Sequence, residues 1–307
     1  RGLHIVPIIE DEDELVYFTN LKSGKSIGDV GIRIDVDVKV KSHWDKKFNR
    51  FGFSAEEVLN MGKIKNLKML HYHISSQVVQ SKDLVLLLKA AIKIFIKLKK
   101  VNPALDAIDI GGGFAVPYEK KKLYPIDGVI KNIIKTLNET VAKESIEPPD
   151  IIVEWGRYLV APAQITIFKV LHQKTIASGP AKKWYIIDGS FINDLSDTWA
   201  LHQKWHVVPV NNMNAKKLIR VWLAGSTCDS DDKYTAGGHY ILLPSTENLE
   251  TGQYQYLAVF DTGAYQDALS SHHCLLSSPA KIIAQNGILA LARRRETPDE
   301  VGKQFGW

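Results

Sequence analysis

Ala107-Ile108-Asp109-Ile110-Gly111-Gly112-Gly113-Phe114 is the stretch on which the fold turns. A short apolar strand runs directly into three consecutive glycines, which let the backbone turn sharply and point several N–H groups at one anion. A dinucleotide-binding GxGxxG would need glycine three residues beyond Gly113, where Val116 stands. A plain tight turn explains the glycines equally well, so the flanks decide. Upstream, Met69–Ser75 reads as a strand and Ser81 caps a long helix through Lys100. Downstream, Pro125 starts a helix reaching about Ser145, and Ile151–Val153 is again a strand. Farther out, His4–Ile9 reads as a strand before a short acidic helix start, Glu10–Glu14, and Val30–Val40 alternates with a strand's period of two. Ser54-Ala55-Glu56-Glu57 is a capping box opening a helix through about Ile64. Repeated strand–helix–strand units predict a parallel sheet, curved into a barrel or left open.

After Gln164 the pattern changes. Ile165–Leu171, Trp184–Ile187, His206–Val210, Leu218–Leu223, Tyr240–Leu243, Tyr254–Phe260 and Ile282–Leu291 read as strands with few convincing helices between them. The expected organisation is therefore an α/β part, 1–165, followed by a mainly β part, 166–307.

Composition narrows the function classes. Of 307 residues, 45% are hydrophobic and 24% charged, an ordinary globular balance. The net charge of +5 is spread along the chain, and the lysines at 97–100 and 119–122 read as solvated faces, so no nucleic-acid partner is expected. The longest apolar runs, such as Leu84–Leu88, fall far short of the roughly 20 residues of a membrane span. Two cysteines, Cys228 and Cys274, make no disulfide framework, which points to a reducing, cytoplasmic setting.

Several strand ends carry chemistry-bearing residues. Glu154-Trp155-Gly156-Arg157 places a carboxylate and a guanidinium around a glycine; Arg157 suits a phosphate and Glu154 a protonated ring nitrogen, or the two form a structural ion pair. In His71-Tyr72-His73-Ile74-Ser75-Ser76-Gln77, alternation sets both histidines on one face. No nearby carboxylate or cysteine completes a metal set, so no metal is expected there; an imidazole could stack on a planar cofactor with Ser76 donating to it, or be a satisfied core group. Thr227-Cys228-Asp229-Ser230-Asp231-Asp232 surrounds a thiol with acids, which disfavours thiolate chemistry and suits proton delivery near a cationic substrate. An Asp-rich loop that merely solvates is the alternative. Gly263-Ala264-Tyr265-Gln266 ends a strand where a phenol could reach a phosphate, and His272-His273-Cys274 reads as structural.

Taken in order, HxHxxS, DIGGGF, ExGR, CDSD and GAY resemble the fold-type III pyridoxal-phosphate decarboxylases of basic amino acids, from about Val30 to Arg295. Asp197-Thr198-Trp199-Ala200, the Cys228-Asp229 stretch and Gly263–Gln266 are most similar to the biosynthetic arginine decarboxylase branch; ornithine, lysine and diaminopimelate enzymes are the alternatives. The resemblance implies an alanine-racemase-like (β/α)8 barrel followed by a mainly β C-terminal domain, with pyridoxal 5'-phosphate as cofactor; Mg2+ is compatible with it but not indicated by any residue. It implies that His73 stacks on the ring, Ser76 contacts the cofactor, and Glu154 pairs with the ring nitrogen. Gly111, Gly112, Gly113, Gly156, Arg157 and Tyr265 hold the cofactor, mainly at its phosphate. Cys228 delivers a proton, and Asp229 with Asp197 grips the substrate's distal cation. A homodimer with shared sites is implied as well. Ser75 replaces a glycine usual in the family, and Trp155 stands where proline or serine is common.

Enzymes of this kind hold the cofactor on a lysine in a stretch like tyrosine-x-x-lysine-x-asparagine, which does not occur here; Lys39, Lys41, Lys68 and Lys169 lack its context. The chain opens at Arg1, and five α/β strands are expected where a full barrel has eight. The expectation is that this chain is a fragment or processed piece, inactive alone. A second polypeptide supplying the front of the barrel, or a truncated non-catalytic paralogue acting as a binding partner, are the other readings.

Overall fold

A computed structural model describes residues 5–20, 28–38, 50–73, 75–120, 125–235, 239–250 and 252–307. Its contacts divide the chain into two units, Arg1–Val116 with Lys122–Tyr158, and Pro117–Lys121 with Leu159–Trp307.

Unit 1 is the expected α/β part. In chain order it contains β1 (Ile8–Ile9), α1 (Glu12–Asn20), β2 (Val30–Asp35), β3 (Phe53–Ser54), α2 (Ala55–Met61), β4 (Leu67–His71), α3 (Ser81–Val101), β5 (Ala107–Asp109), α4 (Ile126–Ala142) and β6 (Asp150–Ile152); α5 (Gly156–Val160) follows. The strands pair in the order β1-β2-β4-β5-β6, all parallel, with β3 also parallel to β2. All three residues of β5 are buried, as a parallel strand covered on both faces requires. Helix α3 presents Leu87, Leu88, Ala91, Ile92, Phe95 and Leu98 to the core, and α4 presents Val129, Ile133, Leu137 and Val141 at four-residue spacing.

Local details follow side-chain chemistry. The capping box at Ser54 forms as read: the Glu57 N–H donates to Ser54 Oγ (3.2 Å) and the Ser54 N–H to Glu57 Oε2 (2.7 Å). Ser81, expected as a cap, is instead the first helical residue after Gln80, whose side chain makes no capping bond. At the other end of α3, buried Asn102 accepts from the Ile64 N–H (2.8 Å) and donates to the carbonyls of Gly62 (3.0 Å) and Leu98 (3.1 Å), tying α3 to the exit of α2. Strand β2 stops at Asp35; the remainder of the expected strand near Lys39 and Lys41 lies outside the described residues.

Unit 2 is mainly β, as expected. It comprises β7 (Thr166–Thr175), β8 (Lys183–Ile187), α6 (Asp197–Ala200), β9 (Val207–Pro209), β10 (Leu218–Ala224), β11 (Ile241–Pro244), β12 (Tyr256–Val259), β13 (Lys281–Gln285), β14 (Ile288–Arg293) and α7 (Pro298–Gln304). Six strands pair in the order β11-β10-β8-β7-β12-β9, antiparallel except for β10 with β8. Tyr185 and Phe191 are fully buried in its core, and Tyr185 Oη donates to the Pro244 carbonyl (2.9 Å). The single strand expected over Ile282–Leu291 is a hairpin instead. Asn286 (φ 50°) and Gly287 (φ 77°) turn the chain between β13 and β14, the positive-φ pair that a two-residue hairpin turn demands. Among the described residues, no helix is long and apolar enough to cross a membrane.

Candidate active site

The parallel register lays the chemistry side by side. Arg33 of β2 is opposite His71 of β4, and His71 is opposite Asp109 of β5. Just past β6, Glu154 completes a row at the C-terminal ends of the strands, where parallel α/β sheets place their ligands. His71 Nε2 lies 3.7 Å and His73 Nδ1 3.8 Å from Glu154 Oε2, so the two histidines do share a face. Asp109 and Glu154 stand beside His71, with one ligand atom of each within 4.8 Å of the others. This corrects the expectation that no carboxylate is near the histidine pair: residues on separate strands meet through sheet order, which local spacing does not show.

The glycine run threads between these groups. The Gly111 N–H donates to Asp109 Oδ1 (2.8 Å) and the Gly112 N–H to His73 Nδ1 (3.1 Å). These two N–H groups are therefore spent on the protein's own side chains and do not converge on one anion, because the strand-end carboxylate and imidazole lie within their reach. The glycines serve close approach. A Cβ on Gly112 would sit 2.9 Å from the Glu154 carbonyl and 3.0 Å from His73 Cε1. Gly111 (φ +64°) and Gly113 (φ +105°) have backbones that suit only glycine, and a Cβ on them would strike the carbonyls of Tyr72 and Ser75. Gly156, by contrast, faces open space: a Cβ there would meet nothing within 4 Å. Beneath the turn, Phe114 stacks on Trp155 with ring centroids 4.7 Å apart. The Gln77 side chain clamps Val116, accepting from its N–H (2.8 Å) and donating to its carbonyl (3.1 Å).

Burial sets the charge states. His71 is only 4% exposed, and neither ring nitrogen has a hydrogen-bond partner. Burial, reinforced by the Arg33 and His73 charges, pulls its pKa down to about 4. Burial also lowers that of half-exposed His73. Burial pushes the Asp109 carboxyl up to about 6, opposed by the Gly111 N–H and assisted by Glu154. His73 accepts at Nδ1, which assigns its proton to Nε2. Ser76 and Arg157 are partly buried, Arg157 in α5. Lys68 is held at the opposite, N-terminal end of the strands by an ion pair with Asp106.

The remaining expected residues lie in unit 2. Cys228 and Asp229 stand in the loop after β10, both carboxylate oxygens of Asp229 being engaged: Oδ1 accepts from the Asp231 N–H (2.8 Å), and Oδ2 lies 3.0 Å from His273 Nε2. The Asp231 N–H first, and then His273, hold Asp229 below the usual carboxylate range. Buried Asp232 organises the loop, accepting from the N–H of Phe191 (2.7 Å) and from the Thr227 hydroxyl (2.7 Å). Asp197 is buried at the start of α6, where its N–H donates to Gln266 Oε1 (3.2 Å). Tyr265 is about half exposed and sits in the left-handed region (φ 69°). His273 has the structural role expected of its stretch, whereas Asp109 and Asp232 are organisers that local spacing does not single out; the direct attachment of Asp109 to the glycine run is the available signal for the first.

Parallel strands whose C-terminal ends assemble histidines, carboxylates and a glycine turn, followed by a β-rich unit, fit the expected barrel-and-β-domain fold class, whose ligands lie at the strand ends. Residues 5–161 match the family profile described as pyridoxal-dependent decarboxylase, pyridoxal binding domain, and the chain belongs to that family. Pyridoxal phosphate is the cofactor that membership brings. Among curated relatives, a diaminopimelate decarboxylase from Methanocaldococcus jannaschii is 27% identical over 296 residues, covering 90% of this chain and 63% of the relative. An arginine decarboxylase from Glycine max is 22% identical, covering 97% of this chain and 57% of the relative. The chain thus spans about six-tenths of the length of these two relatives. The biosynthetic arginine decarboxylase of Campylobacter jejuni superposes with a TM-score of 0.83 over 99% of this chain and 67% of that one; at 18% identity it shows the fold alone.

Proposed function

We propose that unit 1 binds pyridoxal phosphate at the C-terminal ends of β4, β5 and β6, and that the chain serves decarboxylation of a basic amino acid. The supporting observation is the cluster around Gly112: two imidazoles face one carboxylate, across a backbone turn that leaves no room for a Cβ. These residues fit the cofactor's chemistry. Glu154 would hold a proton on the ring nitrogen, His73 would lie against the ring, and Ser76 would contact it. Arg157, with Gly113, would hold the phosphate by charge-assisted bonds, while Gly156 leaves space beside it and Gly111 and Gly112 let the turn close against His73 and Glu154. When bound, pyridoxal phosphate supplies the electron sink that lets a carboxyl group leave as carbon dioxide. Cys228 would return a proton to the carbon that lost it. Asp229, its charge kept by the Asp231 N–H and His273, would hold the substrate's distal cation together with Asp197. In the proposed dimer, Cys228 and Asp229 would serve the neighbouring subunit's site.

The preferred substrate is arginine: the aspartate after Cys228 suits a distal amine or guanidinium, which ornithine and lysine would satisfy too, and the resemblance of residues 197–200, 227–231 and 263–266 favours arginine among them. Diaminopimelate is the second reading, supported by the 27% identical relative. With the lysine-bearing front of the barrel supplied as a second chain, carbon dioxide release from the two substrates decides between them: faster turnover of diaminopimelate would overturn the arginine reading.

Equilibrium dialysis tests the site. Wild type should retain pyridoxal phosphate, and Glu154→Ala or Arg157→Ala should weaken retention at least about tenfold, the loss of one charge-assisted contact; unchanged retention in both would overturn the assignment. Borohydride reduction followed by peptide mass spectrometry tests the lysine. No native lysine should carry a stable adduct, and the chain alone should release no carbon dioxide; an adduct on any lysine would refute inactivity. Activity restored by a co-purifying lysine-bearing chain would favour a split enzyme.

A further inference from the structure

Cys228 Sγ and Cys274 Sγ lie 3.8 Å apart although 46 residues separate them in sequence, and both cysteines are exposed and unbridged. We propose that Cys228 and Cys274 form a reversible intramolecular disulfide, a modification site installed by a peroxide.

Two loops are built to hold this approach. The Cys228 loop is anchored by Asp232, through Thr227 and the Phe191 N–H. The Cys274 turn is anchored to the same 190–193 segment: Asn193 Nδ2 donates to the His273 carbonyl (2.9 Å), and the Ser271 hydroxyl donates to Asn193 Oδ1 (2.7 Å). A second bridge runs alongside the thiols, from His273 Nε2 to Asp229 Oδ2 at 3.0 Å. Cys274 and Leu275 both occupy the left-handed region (φ 57° and 58°), an uncommon conformation for these side chains that the anchors must sustain. With both backbones fixed, small side-chain rotations would bring the sulfurs from 3.8 Å to the bonding distance of about 2.05 Å. Local desolvation and the contact with Cys228 push the Cys274 thiol up, so it enters the second step carrying its proton.

The chemistry balances with hydrogen peroxide as oxidant. The Cys228 sulfur attacks one peroxide oxygen, the O–O bond breaks, and water leaves behind a sulfenic acid. The Cys274 sulfur then displaces that hydroxyl, which departs as water with the second thiol's proton. Two thiols and one peroxide become one disulfide and two waters. The pairing holds whether or not Cys228 is the proton donor; where it is, oxidation removes the proton it would deliver.

The test uses the 307-residue chain treated with equimolar hydrogen peroxide, alkylated, digested without reductant and mapped by mass spectrometry. The expected product has lost two hydrogens, carries a peptide linking Cys228 to Cys274 within one chain, and regains both thiols with dithiothreitol. Cys274→Ala should yield no such product and should accumulate oxygen on Cys228 instead. Cys274→Ser serves equally if the alanine variant fails to give the wild-type circular dichroism spectrum. Independent oxygenation of the two cysteines in wild type, or bridges only between chains, would overturn the proposal. Because the readout is a covalent link, it is unaffected by failure of the decarboxylase reading.

Discussion

The two buried groups at the centre of the site bias stability in opposite directions over the same pH range, and one substitution should expose this. Asp109 moves from 3.8 to about 6 on folding, which corresponds to about 3 kcal/mol at roughly 1.4 kcal/mol per tenfold change in acidity. Between those values the folded chain keeps a proton that the unfolded chain has released, so this contribution makes stability fall as pH rises. His71 moves from 6.5 to about 4, also about 3 kcal/mol. There the unfolded imidazole is the protonated one, so its contribution makes stability rise with pH up to 6.5. Between pH 4 and 6 the two nearly cancel. Asp109→Asn retains an acceptor for the Gly111 N–H and removes only the falling component. The assay is urea unfolding at several pH values, read by far-ultraviolet circular dichroism, to which α3 and α4 of unit 1 contribute strongly. The stability of Asp109→Asn minus that of wild type should climb by about 2 kcal/mol from pH 4 to 6.5; taking the difference cancels other titrating groups such as Asp194. His71→Asn should give the mirror image, a difference that falls as pH rises. A difference flat to within about 0.5 kcal/mol across this window would refute the assigned burial and charge states.

Three further outcomes are expected. Gly112→Ala forces either the Glu154 carbonyl or the His73 ring to move, so unfolding should show a loss of about 1–3 kcal/mol, and dialysis a parallel loss of pyridoxal phosphate; wild-type values for both would mean the turn is slack. Asn102→Ala strands the Ile64 N–H and the Gly62 carbonyl, while the Leu98 carbonyl keeps the backbone N–H of residue 102; the cost should be about 1–3 kcal/mol in urea unfolding with cofactor retention unchanged. Asp232→Ala frees the Phe191 N–H and the Thr227 hydroxyl; about 2–3 kcal/mol should be lost, and peroxide should link Cys228 to Cys274 more slowly than in wild type.

Much of this is legible in the sequence. The glycine run, the strands on either side of it and the change to β structure after Gln164 are local patterns, and local patterns survive folding. The Ser54 capping box is complete within four residues and forms as read. The Asn286-Gly287 turn was equally local, but the apolar residues around it, Ile282 to Leu291, masked it as one continuous strand. What could not be read locally is adjacency. Asp109 reaches His71 because β4 and β5 pair in register, and Cys274 reaches Cys228 because two loops share an anchor at 190–193. Neither fact has a spacing signature. The acceptors that the Gly111 and Gly112 N–H groups meet, Asp109 Oδ1 and His73 Nδ1, were hidden for a related reason: one of them comes from another strand.

The same adjacency explains why the site needs a buried His71 that stays neutral. A protonated His71, 3.7 Å from Glu154 Oε2, would compensate the carboxylate that the proposed function assigns to a ring nitrogen. Burial works against that state, drawing His71 down to about 4, while Asp109, raised only to about 6, is ionised at neutral pH. The cost of keeping these groups in the strand ends is accepted by the fold; the consequence is that His71 presents no compensating positive charge to Glu154 near neutral pH. If this account holds, His71→Asn should leave pyridoxal phosphate retention near wild type above pH 6.5, whereas wild type should lose retention as pH falls toward 4 and the variant should lose less. Equal losses in both proteins would place the acid sensitivity elsewhere and remove His71 from the electrostatics of the site.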